Sequence, residues 1–317
     1  MPQSAMLPDG TLDDAKITGR DHLYTRRNGR SIERFYMNKD GRTVSYILKP
    51  LADESHLGKE AWVQQNVLSL LPTGHARIVA NADHDDPGRY WTIFEDMGAL
   101  SHEYDERLVL DMAAVIPNWH QLSAALVPDR FRTDADKPSL ASKLADIHAG
   151  WPQLRATIAE LGLAEPQLGR LELLVQRASD DSEQVVTHGD LHRGNYFARD
   201  GAIVVMDWEH LHIGSVYWDL YCLLDMTHPY YPKPSNPQLR TEALSVYMEH
   251  RGRLGWLYDR ERFVAGYYAH AAICTAWLML VIEGDLAAGA WDRQQLLDQR
   301  QATFAALNGL LLQPPGG

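Results

Sequence analysis

The stretch VVTHGDLHRGNYF, Val185 to Phe197, constrains this chain more than any other: two histidines, an aspartate, an arginine and an asparagine sit between apolar flanks. An apolar strand-like run leads into it, and Asp190 and Asn195 stand five residues apart on the loop that follows. A second run, AIVVMDW, returns after a short turn and stops at Asp207. Strand, loop and hairpin in this order bring two carboxylates and an amide to one place.

Residues 20–100 alternate like strands. SIERFYM and RTVSYILKP are separated by NKDG, an Asn/Asp/Gly cluster that signals a hairpin. GKEAWVQQNVLSLLP sets Trp62, Val63, Val67, Leu70 and Leu71 on one helical face, and Pro72 marks the exit. ARIVANA and RYWTIFEDMG read as two further strands joined by DHDDPG. Beyond Gly98 the pattern is mainly helical, apart from EQVVTHG, NYFARD and AIVVMDW. HPYYPKPSNPQ, His228 to Gln238, is expected to be a loop.

With 317 residues the chain suits two lobes that share a cleft. The expected class is α+β, with an N-terminal antiparallel sheet and helix over residues 1–97 and a mostly helical C-terminal lobe over 98–317. The first twenty or so residues are expected to be flexible. Phe263 to Asp285 is almost long enough to span a bilayer, but His270 and two tyrosines interrupt it, so it reads as a buried central helix.

The formal net charge of −12 argues against nucleic acid or an anionic membrane as partner and favours a cationic ligand. Cys222 and Cys274 lack CxxC spacing, and no basic segment followed by an apolar run opens the chain. Both point to a cytoplasmic protein.

Transfer of a phosphoryl group from ATP needs a carboxylate to position or deprotonate the acceptor hydroxyl. It also needs an amide and a second carboxylate to hold Mg²⁺, a hard cation that prefers oxygen. The kinase catalytic loop has its Asp and Asn at the spacing of Asp190 and Asn195. HGDLHRGN followed by VVMDWEHLHIGSVYWDL resembles the aminoglycoside phosphotransferase and choline kinase superfamily. That resemblance covers most of the chain and implies a bilobal, protein-kinase-like fold. It also implies that Asp190 is the catalytic base, that Asn195 and Asp207 bind Mg²⁺, and that His188 and Asp219 brace the loop. His192 stands where the family often has its histidine, whereas Arg193 replaces a common proline.

The first lobe supplies the matching parts. Lys49 ends the strand VSYILK and Glu60 opens the next helix, the order of a phosphate-holding lysine and its orienting glutamate. IFEDMG falls where the lobes join, so backbone around Glu95 to Met97 is expected to meet adenine. TRRNGRS carries one glycine instead of GxGxxG, and Gly29, Arg30 and Ser31 are the expected phosphate-lining residues.

Two other classes fit parts of the pattern. His188, His192, His210 and His212 suggest zinc, but there is no HExxH and no matching cysteine spacing. A pseudokinase-like binding module predicts a missing part, yet Lys49, Glu60, Asp190, Asn195 and Asp207 are all present. The acceptor is expected to be an aminoglycoside-like or amino-alcohol-like molecule, with a sugar or homoserine-type alcohol as the alternative. Glu209, Glu283 and Asp285 are the expected substrate-facing carboxylates.

Overall fold

A computed structural model describes residues 1–26, 28–101, 103–179, 182–289 and 291–312. Strands β1 (Gly19–Thr25), β2 (Ser31–Lys39) and β3 (Arg42–Pro50) form an antiparallel meander. Lys39 pairs with Arg42, leaving Asp40 and Gly41 as a two-residue turn with φ of 52° and 75°. Both central residues of such a turn must take positive φ, which is why NKDG marks it. Helix α1 (Lys59–Asn66) crosses to β4 (Ile78–Asn81) and β5 (Trp91–Glu95), giving the strand order β1-β2-β3-β5-β4.

Alternation along β3 sorts its residues by face. Tyr46 and Leu48 enter a core with Phe35, Trp91 and Ile93, while Ile47 and Lys49 line a cleft. The opening residues belong to this core: Ala5 and Leu12 are buried in it, and the Arg89 guanidinium donates to the Pro8 carbonyl. Apolar side chains at positions 5 and 12 thus find a place on the sheet. The expected long helical face also stops early. α1 gives way to a tighter 3-10 turn over Leu68–Leu70, which leaves Leu70 58% exposed while Val63 and Val67 stay buried.

The second lobe runs α2 (Glu106–Val115), α3 (Pro117–His120), α4 (Leu140–Glu160), α5 (Glu165–Arg177), β6 (Gln184–Thr187), β7 (Tyr196–Arg199), β8 (Ala202–Val205) and β9 (His212–Ser215). It ends with α6 (Trp218–Leu224), α7 (Pro237–Arg253), α8 (Arg260–Ala288) and α9 (Arg293–Leu312). β6 pairs with β9 and β7 with β8, both antiparallel, so the loop after β6 is pinned between two small ribbons. β9, sequence HIGS, is too short and too polar to stand out as a strand.

α8 is, among the described residues, the helix long and apolar enough to cross a membrane. It packs against α4, α5 and α9 and buries Phe263, Tyr267, Ile273 and Met279, the role of a central core helix. Asp259 caps its start by accepting from the Arg262 N–H, and Gly289 ends it in the left-handed region.

Apolar packing and backbone hydrogen bonds both tie the lobes together. Val63, Val67 and Leu68 join the second lobe's core, and Gly74 exchanges backbone hydrogen bonds with Ile203 (2.9 Å) and Val205 (3.0 Å) of β8. The helix that carries Glu60 is therefore held against the lobe that carries Asp190.

Candidate active site

The loop after β6 is shaped by one buried carboxylate. Asp219, in the first turn of α6, accepts from the backbone N–H groups of His188 (2.8 Å) and Gly189 (3.0 Å), from the Trp119 indole (2.8 Å) and from His120 Nε2 (3.2 Å). Burial alone would raise its pKa, but these donors, His120 foremost, bring it down to about 2. Burial lowers the His120 pKa, so the imidazole is a neutral donor to Asp219 and accepts in turn from the Tyr247 hydroxyl. Gly189 takes a φ of 89°, and a Cβ there would run into the His210 carbonyl. Only glycine fits immediately before Asp190.

His188 is fully buried, and burial keeps it neutral. Its Nδ1 accepts from the Asp190 N–H (3.2 Å), so Nε2 carries the proton and donates to the Met206 carbonyl (2.8 Å). Asn195 donates from its side-chain amide nitrogen to the Asp190 carbonyl (2.8 Å), and its backbone carbonyl accepts from the Met206 N–H (2.8 Å). Asp190, Asn195 and the residue before Asp207 thus form one hydrogen-bonded unit. Asp207 itself sits in the left-handed region, φ 61°, a conformation Asp tolerates better than most residues.

A charge cluster faces this unit. Lys49 Nζ lies 2.5 Å from Glu60 Oε1 and 3.2 Å from Glu209 Oε2, and donates to Asp207 Oδ1. Arg26 makes a two-pronged pair with Glu209 at 3.1 and 3.2 Å. Burial would lower the Lys49 pKa, but Asp207, Glu209 and Glu60 together hold it above its usual value, so the ammonium stays charged. Burial opposes ionisation of Asp207 too, yet Lys49 and Arg26 keep its pKa below the ordinary carboxylate range. The three carboxylates outnumber the two cations. The strain falls on Glu60, whose pKa is pushed up by burial despite Lys49.

Asp190 stands on the other side. Lys137, from the segment before α4, reaches it with Nζ 2.7 Å from Oδ1, and His192 Nε2 lies 3.5 Å from Oδ2. Burial works against its charge, but Lys137 and His192 hold the pKa well below the usual carboxylate range. Next to it, Asp134 accepts from Lys59 Nζ (3.1 Å) and lies 3.1 Å from His56 Nε2 and 3.3 Å from His210 Nδ1. This fully buried carboxylate joins the start of α1 to the segment after Asp207.

These residues line a cleft of about 1290 Å³, large enough for two small molecules at once. Ile32, Ile47, Phe94, Met97, Leu100 and Val205 give one end an apolar slot. Glu95 lines it as well, with its carboxylate paired to Arg77 at 2.9 Å, and Asp96 is paired to Arg34 at 2.7 Å.

Lys49, Glu60, Glu95, Met97, Asp190, His192, Asn195, Asp207 and Glu209 all meet in the cleft, with His188 and Asp219 buried behind them. Gly29, Arg30 and Ser31 do not line it. Arg30 turns outward to the Pro87 and Gly88 carbonyls and the Ser31 hydroxyl meets Thr25, so Thr25, Arg26 and Asn28 line that edge instead. Glu283 pairs with Arg300 of α9 at 2.5 Å, and neither it nor Asp285 reaches the cleft. Glu209 does, but it faces Lys49 and Arg26 and not the far end.

The histidines that suggested zinc part company. His188 bonds Met206, His192 stacks on His228, His212 bonds the His210 carbonyl, and His210 turns to Asp134. His56, Asp134, Asp136 and His210 do bring ligand atoms within 4.8 Å of one another, with the Lys59 ammonium already on Asp134. Sequence reasoning missed Arg26, Lys137 and Asp134. Nothing in their local spacing singles them out.

A five-stranded sheet over a helical lobe, with this cleft between, is a protein-kinase-like fold, and the family match makes the chain a small-molecule phosphotransferase. The chain belongs to the phosphotransferase enzyme family, whose sequence model matches residues 27–257. Amicoumacin kinase superposes with a TM-score of 0.58 at 13% identity, over 96% of this chain and 92% of that one. A choline/ethanolamine kinase family protein from Mesorhizobium loti gives 0.57 at 14% identity, over 94% and 90%. Choline kinase from Cryptosporidium parvum gives 0.54 at 12% identity, over 96% and 92%. A comparison with curated protein sequences found no match.

Proposed function

We propose that this protein is an ATP- and Mg²⁺-dependent kinase that transfers the γ-phosphoryl group to the hydroxyl of a small alcohol, working in the cytoplasm where ATP is supplied. The observation that carries the reading is Lys49: one ammonium shared by Glu60, Asp207 and Glu209, across the cleft from Asp190. Amicoumacin kinase has been solved with AMP-PNP and Ca²⁺, a nucleotide and a divalent cation.

The donor set fits such a cation. Carboxylate oxygens of Glu60, Asp207 and Glu209 lie within 4.8 Å of one another and outnumber the cations beside them. Asn195 has its amide nitrogen engaged with Asp190, which leaves its amide oxygen for a hard metal. Under this reading Asp207 and Asn195 hold Mg²⁺, which when bound neutralises charge on the phosphates. Lys49 holds phosphate oxygens, Glu60 orients Lys49, and backbone near Glu95 to Met97 meets the adenine.

Asp190 orients the acceptor hydroxyl and takes its proton. With its pKa held well below the usual carboxylate range it is ionised near neutral pH and is a weak base. Such a base suits a loose transition state, in which alignment matters more than early deprotonation. The complete set of parts favours turnover over a binding module. Cleft carboxylates are mostly paired already, which favours an amino alcohol with a single positive charge over a polycation.

Site variants test the reading. Asp190→Asn should keep its thermal shift with ADP yet lose about 10²–10⁴-fold in turnover. Asp207→Ala should need far more Mg²⁺ for any remaining activity, and Asn195→Ala should be milder. Wild-type turnover in Asp190→Asn would sink the assignment.

A further inference from the structure

Past Asp190 the cleft changes character. The segment between α6 and α7 lays rings against the catalytic loop: His228 stacks on His192 with centroids 4.5 Å apart at 25°, and Tyr231 stacks on His192 at 5.3 Å and 20°. Tyr230, 52% exposed, leans on Trp291 at 5.5 Å. All five rings line the cleft. This is the proline-rich HPYYPKPSNP stretch, and it is held at both ends. Lys233 donates to the Cys222 and Leu223 carbonyls at the end of α6 (2.8 and 2.7 Å), and Asn236 caps α7. Pro229, Pro232 and Pro234 restrict the backbone between. At Gly194 a Cβ would collide with the Tyr231 ring, so the wall and the catalytic loop touch directly.

Negative charge is sparse at this end. Glu95 and Asp96 are paired with Arg77 and Arg34, Glu60, Asp207 and Glu209 surround Lys49, and Asp190 holds Lys137. Asp53 accepts from the Ser55 N–H and hydroxyl. Among the described residues this leaves Asp53 and Asp136 as the cleft carboxylates outside those ion pairs. A polycation would find few carboxylates there that a cation does not already hold. A polyol would meet ring faces in place of the amides and small hydroxyls that pair with it. A flat apolar ring gains most, by offset or edge contact with tyrosine and tryptophan.

We infer that the acceptor is an aromatic alcohol with at most one positive charge, its ring seated against Tyr230, Tyr231 and Trp291 and its hydroxyl presented to Asp190. This rests on the kinase reading. In the step, the alcohol oxygen forms a bond to the γ-phosphorus while the bond from that phosphorus to the β–γ bridging oxygen breaks. ADP leaves with the bonding electron pair, and the hydroxyl proton passes to Asp190.

The test uses the full chain with ATP and Mg²⁺, reading ADP release and phosphorylated product for 2-phenylethanol, phenylalaninol, methyl β-glucopyranoside and kanamycin. An aromatic alcohol should give the highest kcat/KM. Tyr230→Ala and Trp291→Ala should each raise its KM about 2- to 12-fold, the range for losing one aromatic partner. Tyr230→Phe, which keeps the ring, should restore it. Preference for kanamycin or the glucoside overturns the inference, and so does an unmoved KM in both alanine variants. A protein that hydrolyses ATP and shifts with ADP but phosphorylates neither aromatic alcohol also overturns it, with the kinase reading intact. Absence of any ADP shift or ATP hydrolysis overturns both.

Discussion

Lys137 Nζ lies 2.7 Å from Asp190 Oδ1, so the carboxylate proposed as base is paired with a cation from a segment 53 residues earlier in the chain. Burial pulls the Lys137 pKa down, but Asp190 raises it overall, and the ammonium stays charged. The pair fixes the rotamer of Asp190 and lowers its basicity at once.

Replacing Lys137 with Met should therefore slow turnover about 10- to 100-fold, the scale of a small misplacement of a reacting group. The acid limb of the kcat profile should also move to higher pH, because Asp190 loses the charge that depresses its pKa. Lys137→Arg should recover part of both. Circular dichroism checks that the fold persists; an unmoved acid limb in Lys137→Met would contradict the coupling.

Asp134 joins His56, Lys59 and His210 without any exposure of its own side chain. Burial would raise its pKa, but His210, His56 and Lys59 hold it far below the carboxylate range. Asp134→Ala leaves Lys59, itself 1% exposed, without that counter-charge, and should cost about 3–5 kcal/mol in urea unfolding. Lys59 is the neighbour of Glu60, so the KM for ATP should rise too. A loss below about 1 kcal/mol with an unchanged KM would mean that the lobes are held elsewhere.

Asp219 has a folded pKa of about 2 against an ordinary 3.8. A depressed carboxylate contributes stability that is full above its unfolded pKa and is lost as pH falls through the folded one. The contribution is on the order of 2 kcal/mol. Asp219→Asn has no such titration, so the stability gap between wild type and variant should be constant near pH 7 and shrink between pH 4 and 2. Urea melts at several pH values read this directly. A gap that ignores pH in that window would contradict the donor set around Asp219.

The β2–β3 hairpin was legible because its turn chemistry is local: positive φ at Asp40 and Gly41 is demanded within four residues. The catalytic loop was legible for the same reason, since Asp190 and Asn195 share one turn and Asp207 ends the returning hairpin. Lys49 and Glu60 were found because strand and helix periods carry them to one cleft. Local pattern did not show that Gly29 to Ser31 stand outside the cleft lining, where side chains of Asn28 and Arg30 bond the Leu51, Ala52 and Pro87 carbonyls. No local period shows where such polar groups find carbonyls.

By itself the sequence determined which residues could carry the chemistry and the order in which strands, loop and helices follow one another, because hydrophobic period and turn preference act over a few residues. Only the tertiary structure decided that Arg26 meets Glu209 across 183 residues, that Lys137 reaches Asp190, and that Tyr230, Tyr231 and Trp291 share a wall. Those contacts depend on how whole helices and ribbons pack. Packing is settled by the sum of buried surfaces along the chain, which no single stretch contains.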